Sequence, residues 1–333
     1  MKLMSRWKSL KGDPFEKEKQ LWEACTNGDL ATVKSILTDH RRTVKLNWQD
    51  EELQRTAFYR ACGHNQVDIV KYLLQHHHKE LDKELCQQEG ATPFCVSCSV
   101  GHLGVVELLM GSGVNVNTPM RTTMGSPFFY ACQGGHVGVI KRLLEDPGVD
   151  INATSSMGVA PFYVLCEHGT KMAIDLLLQD HRLDLSQQAK FKGATPVYAA
   201  CERGNTEVLE LLLGDGRIEA TMRREDGMTP LWIAAQNGRL EVTKLLLASV
   251  ADIDVRAPRD DGRGPVEVAL WASTQDKWSW ESDKDHDDRL QYCGQVAALL
   301  EEFQLNPGQV RQRLIRELNL RGWLSFSFFF FFS

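Results

Sequence analysis

The sequence lacks a long hydrophobic run, an excess of basic residues and an apolar leader. No stretch of about 18 apolar residues occurs, so we expect no helix that spans a membrane. Lys plus Arg total 38 and Asp plus Glu total 44, which gives a formal net charge of −6. Because nucleic-acid-binding proteins normally carry a basic excess, we expect no nucleic acid as a partner. The first residues contain no apolar segment of the length found in secretory leaders, so we expect no export.

The motifs that mark nucleotide-binding, hydrolytic and metal-dependent enzymes are absent as well. The sequence has no P-loop, no Gly-x-Gly-x-x-Gly after a predicted strand, no Gly-x-Ser-x-Gly and no His-Glu-x-x-His. Its one Cys-x-x-Cys pair, Cys95 and Cys98, lacks the second pair that completes a zinc site. We therefore predict a protein that is not an enzyme and that needs no metal and no cofactor.

What the sequence does have is a regular spacing of cysteine in a chain of ordinary globular composition. Of its 333 residues, 43% are hydrophobic and 25% are charged, which is enough to bury a large core. Six of the nine cysteines follow one another at gaps of 37, 36, 34, 34 and 35 residues: Cys25, Cys62, Cys98, Cys132, Cys166 and Cys201, here called the cysteine column. A period of this length indicates a repeat architecture.

Each copy of the repeat begins with turn residues and continues with two helical stretches. Five of the seven starts place Thr or Ser at a helix N-cap position, and six place Pro at the first helical position. A glycine three residues before the proline suits a turn with positive φ in five copies: Gly90, Gly158, Gly193, Gly227 and Gly262. Apolar pairs such as Leu108-Leu109 and Leu211-Leu212 mark the second helix.

Residues 227–247 read Gly-Met-Thr-Pro-Leu-Trp-Ile-Ala-Ala-Gln-Asn-Gly-Arg-Leu-Glu-Val-Thr-Lys-Leu-Leu-Leu and resemble an ankyrin repeat. The resemblance recurs seven to eight times over about residues 20–305. It implies an all-α fold, an ankyrin-repeat solenoid of stacked helix-turn-helix units with hairpin-like loops. The chain departs from the family pattern where the second small residue of the first helix is Cys, and where the usual His is mostly aromatic: Tyr59, Phe129, Tyr163, Tyr198 and Trp232.

The segments that flank the array have their own composition. Residues 1–19 are a charged N-terminal extension. Residues 306–322 carry an apolar stripe with Arg311, Arg313 and Arg316 outside it, which predicts a C-terminal capping helix.

Two further segments allow more than one interpretation. The last repeat carries an acidic insertion at about 273–292, which we interpret as a surface loop. The alternative is a partner-binding flap, because Trp278 and Trp280 are unusual in a polar loop. The Phe/Ser-rich tail, residues 323–333, is interpreted as disordered or as an artefact of the gene model, since pyrimidine-rich triplets encode both residues. A membrane-interface anchor is the alternative for this tail.

The cysteine column is expected to stay reduced. Stacked helices lie about 8–10 Å apart, whereas a disulfide needs Cα atoms within about 7 Å. The column cysteines should therefore act as small buried hydrophobic residues, which indicates a reducing compartment, the cytoplasm or the nucleus. We expect Cys86, Cys95 or Cys293 to react sooner than the column.

The resemblance implies a concave binding face built from loop tips and from the end of each first helix. The candidate partner-binding residues are Arg121, Lys190, Lys192, Arg203, Arg223, Arg224, Gln236, Asn237, Arg259, Trp278 and Trp280. The basic residues predict a strip that attracts an acidic segment of a partner, and the alternative is a solvated rim offset by neighbouring acids. If the strip is exposed, reversing Arg223 and Arg224 to Glu slows association without lowering the melting temperature.

The resemblance also implies the function. We predict a monomeric, non-enzymatic scaffold or adaptor that binds one or more partner proteins on the concave ankyrin surface. Two alternatives stay open: a cysteine-based redox sensor, and an adaptor tethered to a membrane by the Phe-rich tail.

Overall fold

Helix pairs repeat along the chain in the computed structural model, which describes residues 13–40, 43–185, 193–276 and 282–320. Seventeen helices and no strand lie in these residues, and an isolated antiparallel bridge joins Gln49 to Thr56. The chain divides into two compact units, residues 1–156 and 157–333. The predicted all-α repeat solenoid is thereby confirmed.

The first unit contains four helix pairs. They are α1 (Glu16–Asn27) with α2 (Leu30–Asp39), α3 (Ala57–Gly63) with α4 (Val67–His76), α5 (Pro93–Ser99) with α6 (Leu103–Met110), and α7 (Pro127–Gln133) with α8 (Val137–Leu144). Each first helix packs against the first helix of the next pair, and each second helix against the next second helix. Because one pair cannot cover its own apolar face, this neighbour packing supplies the core.

The second unit contains four more pairs and a terminal helix. They are α9 (Pro161–His168) with α10 (Lys171–Leu178), α11 (Pro196–Arg203) with α12 (Thr206–Gly214), α13 (Pro230–Gln236) with α14 (Leu240–Ser249), α15 (Pro265–Ala272) with α16 (Asp283–Leu305), and then α17 (Pro307–Glu317). The same neighbour packing recurs, and α17 rests on α14 and α16.

The residues at the repeat starts set where the first helices begin. The predicted N-caps accept a hydrogen bond from the backbone N–H three residues later: Thr56, Thr92, Ser126, Thr195 and Thr229. Six first helices place Pro in their first turn, where its missing N–H costs nothing. The five turn glycines have φ between 66° and 88°. These predictions from local sequence are confirmed.

A column of side-chain hydrogen bonds ties consecutive repeats together. The residue before the second helix donates to a carbonyl at the end of the previous first helix: Gln66 to Thr26 at 3.0 Å, Asn205 to Cys166 at 3.1 Å and Arg239 to Glu202 at 3.3 Å. His102 and His136 bond in the same way to Gly63 and Ser99, at 3.2 and 2.8 Å. A side chain at Gly101 would collide with this column, because its Cβ would lie 2.5 Å from Nδ1 of His136. These bonds fix the spacing between neighbouring repeats.

Residues 283–292 of the acidic insertion are helical, which corrects the interpretation of 273–292 as a loop for this part, while residues 273–276 lie in a turn and irregular backbone. Helix α16 begins at Asp283 and is 23 residues long. Cys293, Val296 and Leu300 recur at helical spacing along it and are buried. The polar composition of the segment obscured this spacing, and carboxylates near the start of a helix favour it through the helix dipole.

Arg289 fastens α16 to the end of α15. Its buried guanidinium donates to the carbonyl of Ala272, the last residue of α15. It also donates to the carbonyls of Gln275 and Asp276, at 3.3 and 3.0 Å. The Arg289 side chain therefore joins α16 both to the end of α15 and to the residues that directly follow α15.

The two ends of the described chain differ from the sequence expectation in detail. The first helix begins at Glu16, inside the stretch 1–19 that we interpreted as an extension. Helix α17 lies where the capping helix is predicted, within 306–322. However, Arg311 is not on its outer side: Nε donates to the carbonyl of Leu247 at 3.0 Å, within the last turn of α14. The tail, residues 323–333, lies outside the described residues.

Candidate functional site

The loops before the first helices end in tips that touch one another within each unit. The tips lie at residues 53–55, 87–90 and 121–124 in the first unit, and at 223–227 and 259–262 in the second. The Gln88 N–H donates to the Leu53 carbonyl at 2.9 Å, and the Asp260 N–H donates to the Asp226 carbonyl at 3.3 Å. In each unit, we call the surface formed by its tips and the exposed ends of its first helices the tip face of that unit.

The predicted surface arginines of the second unit pair with carboxylates. The pairs are Arg203 with Glu167, Arg223 with Asp254 at 3.5 Å, Arg224 with Asp226 at 3.0 Å and Arg259 with Asp226 at 3.9 Å. Four other candidates lie outside the described residues: Lys190, Lys192, Trp278 and Trp280. Because a carboxylate faces each described arginine, the arrangement favours the alternative of a rim with offset charges over a basic strip.

Arg224 is the least exposed of these arginines, with 12% of its side chain accessible. Its guanidinium lies 4.9 Å from the ring centroid of Tyr198 and donates from Nη1 to the Tyr198 hydroxyl at 2.9 Å. Nη2 donates to Asp226 at 3.0 Å. The expectation that the strip is exposed is therefore wrong for Arg224, whose side chain holds a tip against α11.

We expect the charge reversals at Arg224 and Arg223 to have different effects on stability. Arg224→Glu should lower the free energy of unfolding by about 1–3 kcal/mol, because a carboxylate beside Asp226 loses both hydrogen bonds. Arg223→Glu should leave the melting temperature unchanged, since the Arg223 side chain is 47% exposed. Thermal unfolding of the two single variants checks this, and equal melting temperatures would show that Arg224 is not part of the packed structure.

Three other predicted surface residues, Asn237, Arg121 and Gln236, either contact neighbouring repeats or are partly buried. Nδ2 of Asn237 donates to the carbonyl of Glu202 at 3.1 Å, so this side chain joins the column that ties repeats together. The stem of Arg121 packs on Gly90, where a Cβ would lie 2.4 Å from Cγ of Arg121. Gln236 is half-buried at the end of α13. Arg121 stays exposed, and Gln236 keeps a partly exposed side chain on the tip face.

Aromatic side chains three residues before the column position support the tips, a role that the sequence analysis missed. The guanidinium carbon lies 4.4 Å from the Trp22 ring centroid for Arg60, 4.9 Å from Tyr198 for Arg224 and 5.5 Å from Trp232 for Arg259. The indole N–H of Trp22 donates to the Arg55 carbonyl at 3.2 Å, and that of Trp232 to the Arg263 carbonyl at 2.8 Å. The fixed spacing of the aromatic residues was the available signal.

A cleft of about 260 Å³ opens on the tip face of the first unit. It is lined by Leu53, Arg55, Tyr59, Arg60, Gly63, His64, Gln87, Glu89 and Val96. Asp50 holds Arg55 through Nε and Nη2, at 3.1 and 3.0 Å. The Arg60 Nε donates to Thr26 Oγ1 at 3.1 Å. The cleft thus has cationic, hydroxyl and apolar walls in one place.

Two arginines and one carboxylate, that of Glu89, line this cleft. Burial, followed by the charge of Arg55, lowers the pKa of Arg60. Burial and then the charges of Arg60, His102 and Arg55 lower the pKa of His64. Burial raises the pKa of Tyr59 to about 12, so its hydroxyl stays a donor at neutral pH. These directions indicate that the cleft favours an added negative charge.

Cysteine chemistry is restrained by burial. The six column cysteines are buried thiols, and burial raises the pKa of Cys25 to about 12. Burial likewise raises the pKa of Cys95 to about 12. Cys293 is buried too, and Cys86 is the one partly exposed cysteine of the nine. Of the three cysteines expected to react sooner than the column, Cys86 is therefore the accessible one, whereas Cys95 and Cys293 are as buried as the column.

We expect iodoacetamide to label Cys86 first in the native protein and to reach the column after unfolding. The reactive species is the thiolate, and both burial and a raised pKa suppress it. Mass spectrometry of peptides from native and urea-unfolded samples checks this, with the unfolded sample as the control for complete labelling. Fast native labelling of Cys62, Cys132 or Cys201 would restore the redox-sensor alternative.

The residues that the structure describes contain neither a cluster of metal ligands nor a helix that could span a membrane. Among these residues, no group of three or more His, Cys, Asp or Glu side chains is arranged to hold a metal ion. Nor does any helix among them combine the length and the apolar composition that crossing a membrane requires.

Comparison with known families gives three overlapping or adjacent matches to one family model. The model describes ankyrin repeats, and it matches residues 21–120, 77–155 and 162–257. These matches cover more than half of the chain and coincide with helix pairs α1–α2 to α13–α14.

Proposed function

Because the chain belongs to the ankyrin-repeat family, we propose that it is a non-enzymatic scaffold or adaptor that binds a partner protein on its tip face. Ankyrin repeats are generally protein–protein interaction modules, and the family is typically non-catalytic. The observation that carries the proposal is the separation of apolar side chains from polar ones. Apolar and thiol side chains are buried between helices, while polar side chains collect on the tips.

The rigidity of the tip face supports this proposal. Neighbouring tips are joined by backbone hydrogen bonds, and the aromatic residues beneath them are buried or half-buried. A surface that is ordered before binding loses less conformational freedom on association. Such a face suits recognition of a folded or extended polypeptide without further rearrangement.

Burial of the thiols supports the scaffold over the redox sensor. A sensor cysteine is accessible and has a lowered pKa, whereas burial raises the pKa of Cys62, Cys98 and Cys132 here. Free thiols in a regular column also support our proposal that the protein lies in the cytoplasm or nucleus, where thiols stay reduced. We propose in addition that it is a monomer. The proposed partners are proteins and not nucleic acids, in keeping with the net charge of −6.

Site-specific photo-crosslinking tests the proposed face. A benzophenone amino acid replaces Gln236 on the tip face, or the exposed Met172 on α10, in the full chain. We expect crosslinked protein partners from cell extract at Gln236 and not at Met172. Equal capture at both positions, or capture at Met172 alone, would contradict binding through the tip face.

A further inference from the structure

Among the described residues, Arg60 is the arginine of the first-unit cleft that forms no ion pair, and the more distant Asp50 acts on its charge only weakly, after burial and Arg55. Arg55 is held by Asp50, with nitrogen–oxygen distances of 3.0 and 3.1 Å. Arg60 instead donates from Nε to a neutral hydroxyl, that of Thr26. No carboxylate of the described residues lies within 4.0 Å of the Arg60 guanidinium. Its terminal nitrogens therefore carry donors that the described part of the chain leaves available.

The guanidinium of Arg60 is held in a fixed orientation. It lies 4.4 Å from the ring centroid of Trp22, and Arg55 lies 5.5 Å from the same ring. The stacking ring and the Nε hydrogen bond hold the plane of Arg60 from two directions. A planar group fixed in this way presents paired N–H donors that match the two oxygens of a carboxylate.

The other walls of the cleft provide apolar and polar surface beside the Arg60 guanidinium. Leu53 and Val96 supply apolar surface at the edge, and Gln87 supplies an amide. The hydroxyl of Tyr59 has no hydrogen-bond partner among the described residues and opens to the same cleft. The carboxylate of Glu89 acts on Tyr59, whose pKa it helps to raise, and not on Arg60.

The size of the cleft favours one side chain over a small-molecule ligand. Pockets for small molecules have volumes of roughly 300–1,000 Å³ and enclose most of the ligand. The cleft has a volume of about 260 Å³ and lies on an interaction face. It is therefore large enough for a single side chain that a larger partner inserts.

We propose that this cleft receives an aspartate or glutamate side chain of the partner polypeptide, with its carboxylate on the terminal nitrogens of Arg60 and its flanking apolar atoms against Leu53 and Val96. The inference rests on the proposed function and specifies the chemistry of its partner. It also moves the site of acidic recognition from the arginines of the second unit, which already face carboxylates, to the first unit.

Peptide selection on the full chain tests the inference. A random dodecapeptide library on phage is selected against the immobilised wild-type protein, Arg60→Gln and Arg142→Gln. Arg142 is the matched control, because it lies in the same unit on α8 and pairs with Glu145 at 3.7 Å. We expect Asp or Glu to be enriched at one fixed position by the wild type and by Arg142→Gln. We expect this enrichment to be lost with Arg60→Gln.

Affinities of one selected peptide then measure the contact directly. Its acidic residue is replaced by the isosteric amide, and both peptides are titrated by fluorescence anisotropy. The wild type should prefer the acidic peptide at least tenfold, Arg60→Gln should show almost no preference, and Arg60→Lys should show a smaller preference than the wild type. Lysine keeps the charge but lacks the forked donors, and it guards against a folding defect in Arg60→Gln.

Three results would overturn the inference: no acidic position in the wild-type selection, an acidic preference that survives Arg60→Gln, or a wild type that selects no peptide. The first two leave the proposed function standing, because peptides still bind. Crosslinking at Gln236 tests that function independently, since it lies in the second unit.

Discussion

Leu109→Ala and Leu212→Ala should each lower the free energy of unfolding by about 2–5 kcal/mol. Both leucines are fully buried and occupy the same position of their repeats, on α6 and α12. Helix α6 packs against α4 and α8, and α12 packs against α10 and α14, so each truncation leaves a cavity among three helices. The surrounding backbone is tied by cross-repeat hydrogen bonds and relaxes little into the space. Urea denaturation followed by circular dichroism measures the loss.

The damage should also be local. Among the described helices, the main packing contacts join neighbouring repeats, so hydrogen exchange in Leu109→Ala should rise mainly in α4 to α8. The control is Leu305→Ala, the same truncation at a side chain that is 79% exposed, which should cost about 0.5 kcal/mol or less. Loss of protection spread evenly over all helices would contradict a linear array of repeats.

The fold could be predicted because its causes are local and repeated. A Thr or Ser cap, a Pro in the first turn and a Gly with positive φ act within a few residues, and each recurs in most copies. The cysteine column followed from the same periodicity, since small side chains let first helices approach closely. Seven or eight copies of one signal made errors in any single copy unimportant.

The charge pattern of the site could not be predicted in the same way. Summing charges over the tips gave a basic strip, but Asp226 lies between Arg224 and Arg259 and pairs with both. That pairing depends on the distance between two tips, which composition does not contain. Pairs that are close in sequence could have been predicted: Asp261 precedes Arg263 by two residues and pairs with it at 2.9 Å.

The lack of an ion pair at Arg60 among the described residues of the first unit could not be predicted from the sequence for a related reason. Arg60 and Trp22 are separated by one repeat, so their contact appears after the register of the repeats is known. Aligning the copies on the column would have placed an aromatic residue at this position in six of the seven copies, and Cys95 in the other. Which arginine lacks a carboxylate is then decided by side-chain geometry.

The second large effect is expected at the aromatic position of α13. Trp232 is fully buried, its indole N–H donates to the Arg263 carbonyl at 2.8 Å, and the guanidinium of Arg259 lies 5.5 Å from its ring. Trp232→Ala should cost about 3–5 kcal/mol, because it removes the largest side chain of this interface. Trp232→Phe should cost about 0.5–1.5 kcal/mol, because it keeps a ring but removes the indole hydrogen bond, and the Arg263 carbonyl then accepts from the Arg259 N–H alone. Trp271→Phe is the matched control at a ring that is 36% exposed, and it should cost less.

Trp232 should also control the mobility of the tip above it. Trypsin cleaves after arginine, and Arg259 begins the tip while Arg263 directly follows it, so opening of the tip can be followed as cleavage in the folded protein. Trp232→Ala removes the ring beneath Arg259 and the donor to Arg263, and it should speed cleavage at both residues relative to Arg223, which lies in the neighbouring tip. Trp232→Phe should speed it less, because a ring still supports the guanidinium. If Trp232→Ala destabilises the protein while Arg259 and Arg263 are cut no faster than Arg223, the indole contributes packing alone and the tip is held by its own ion pairs.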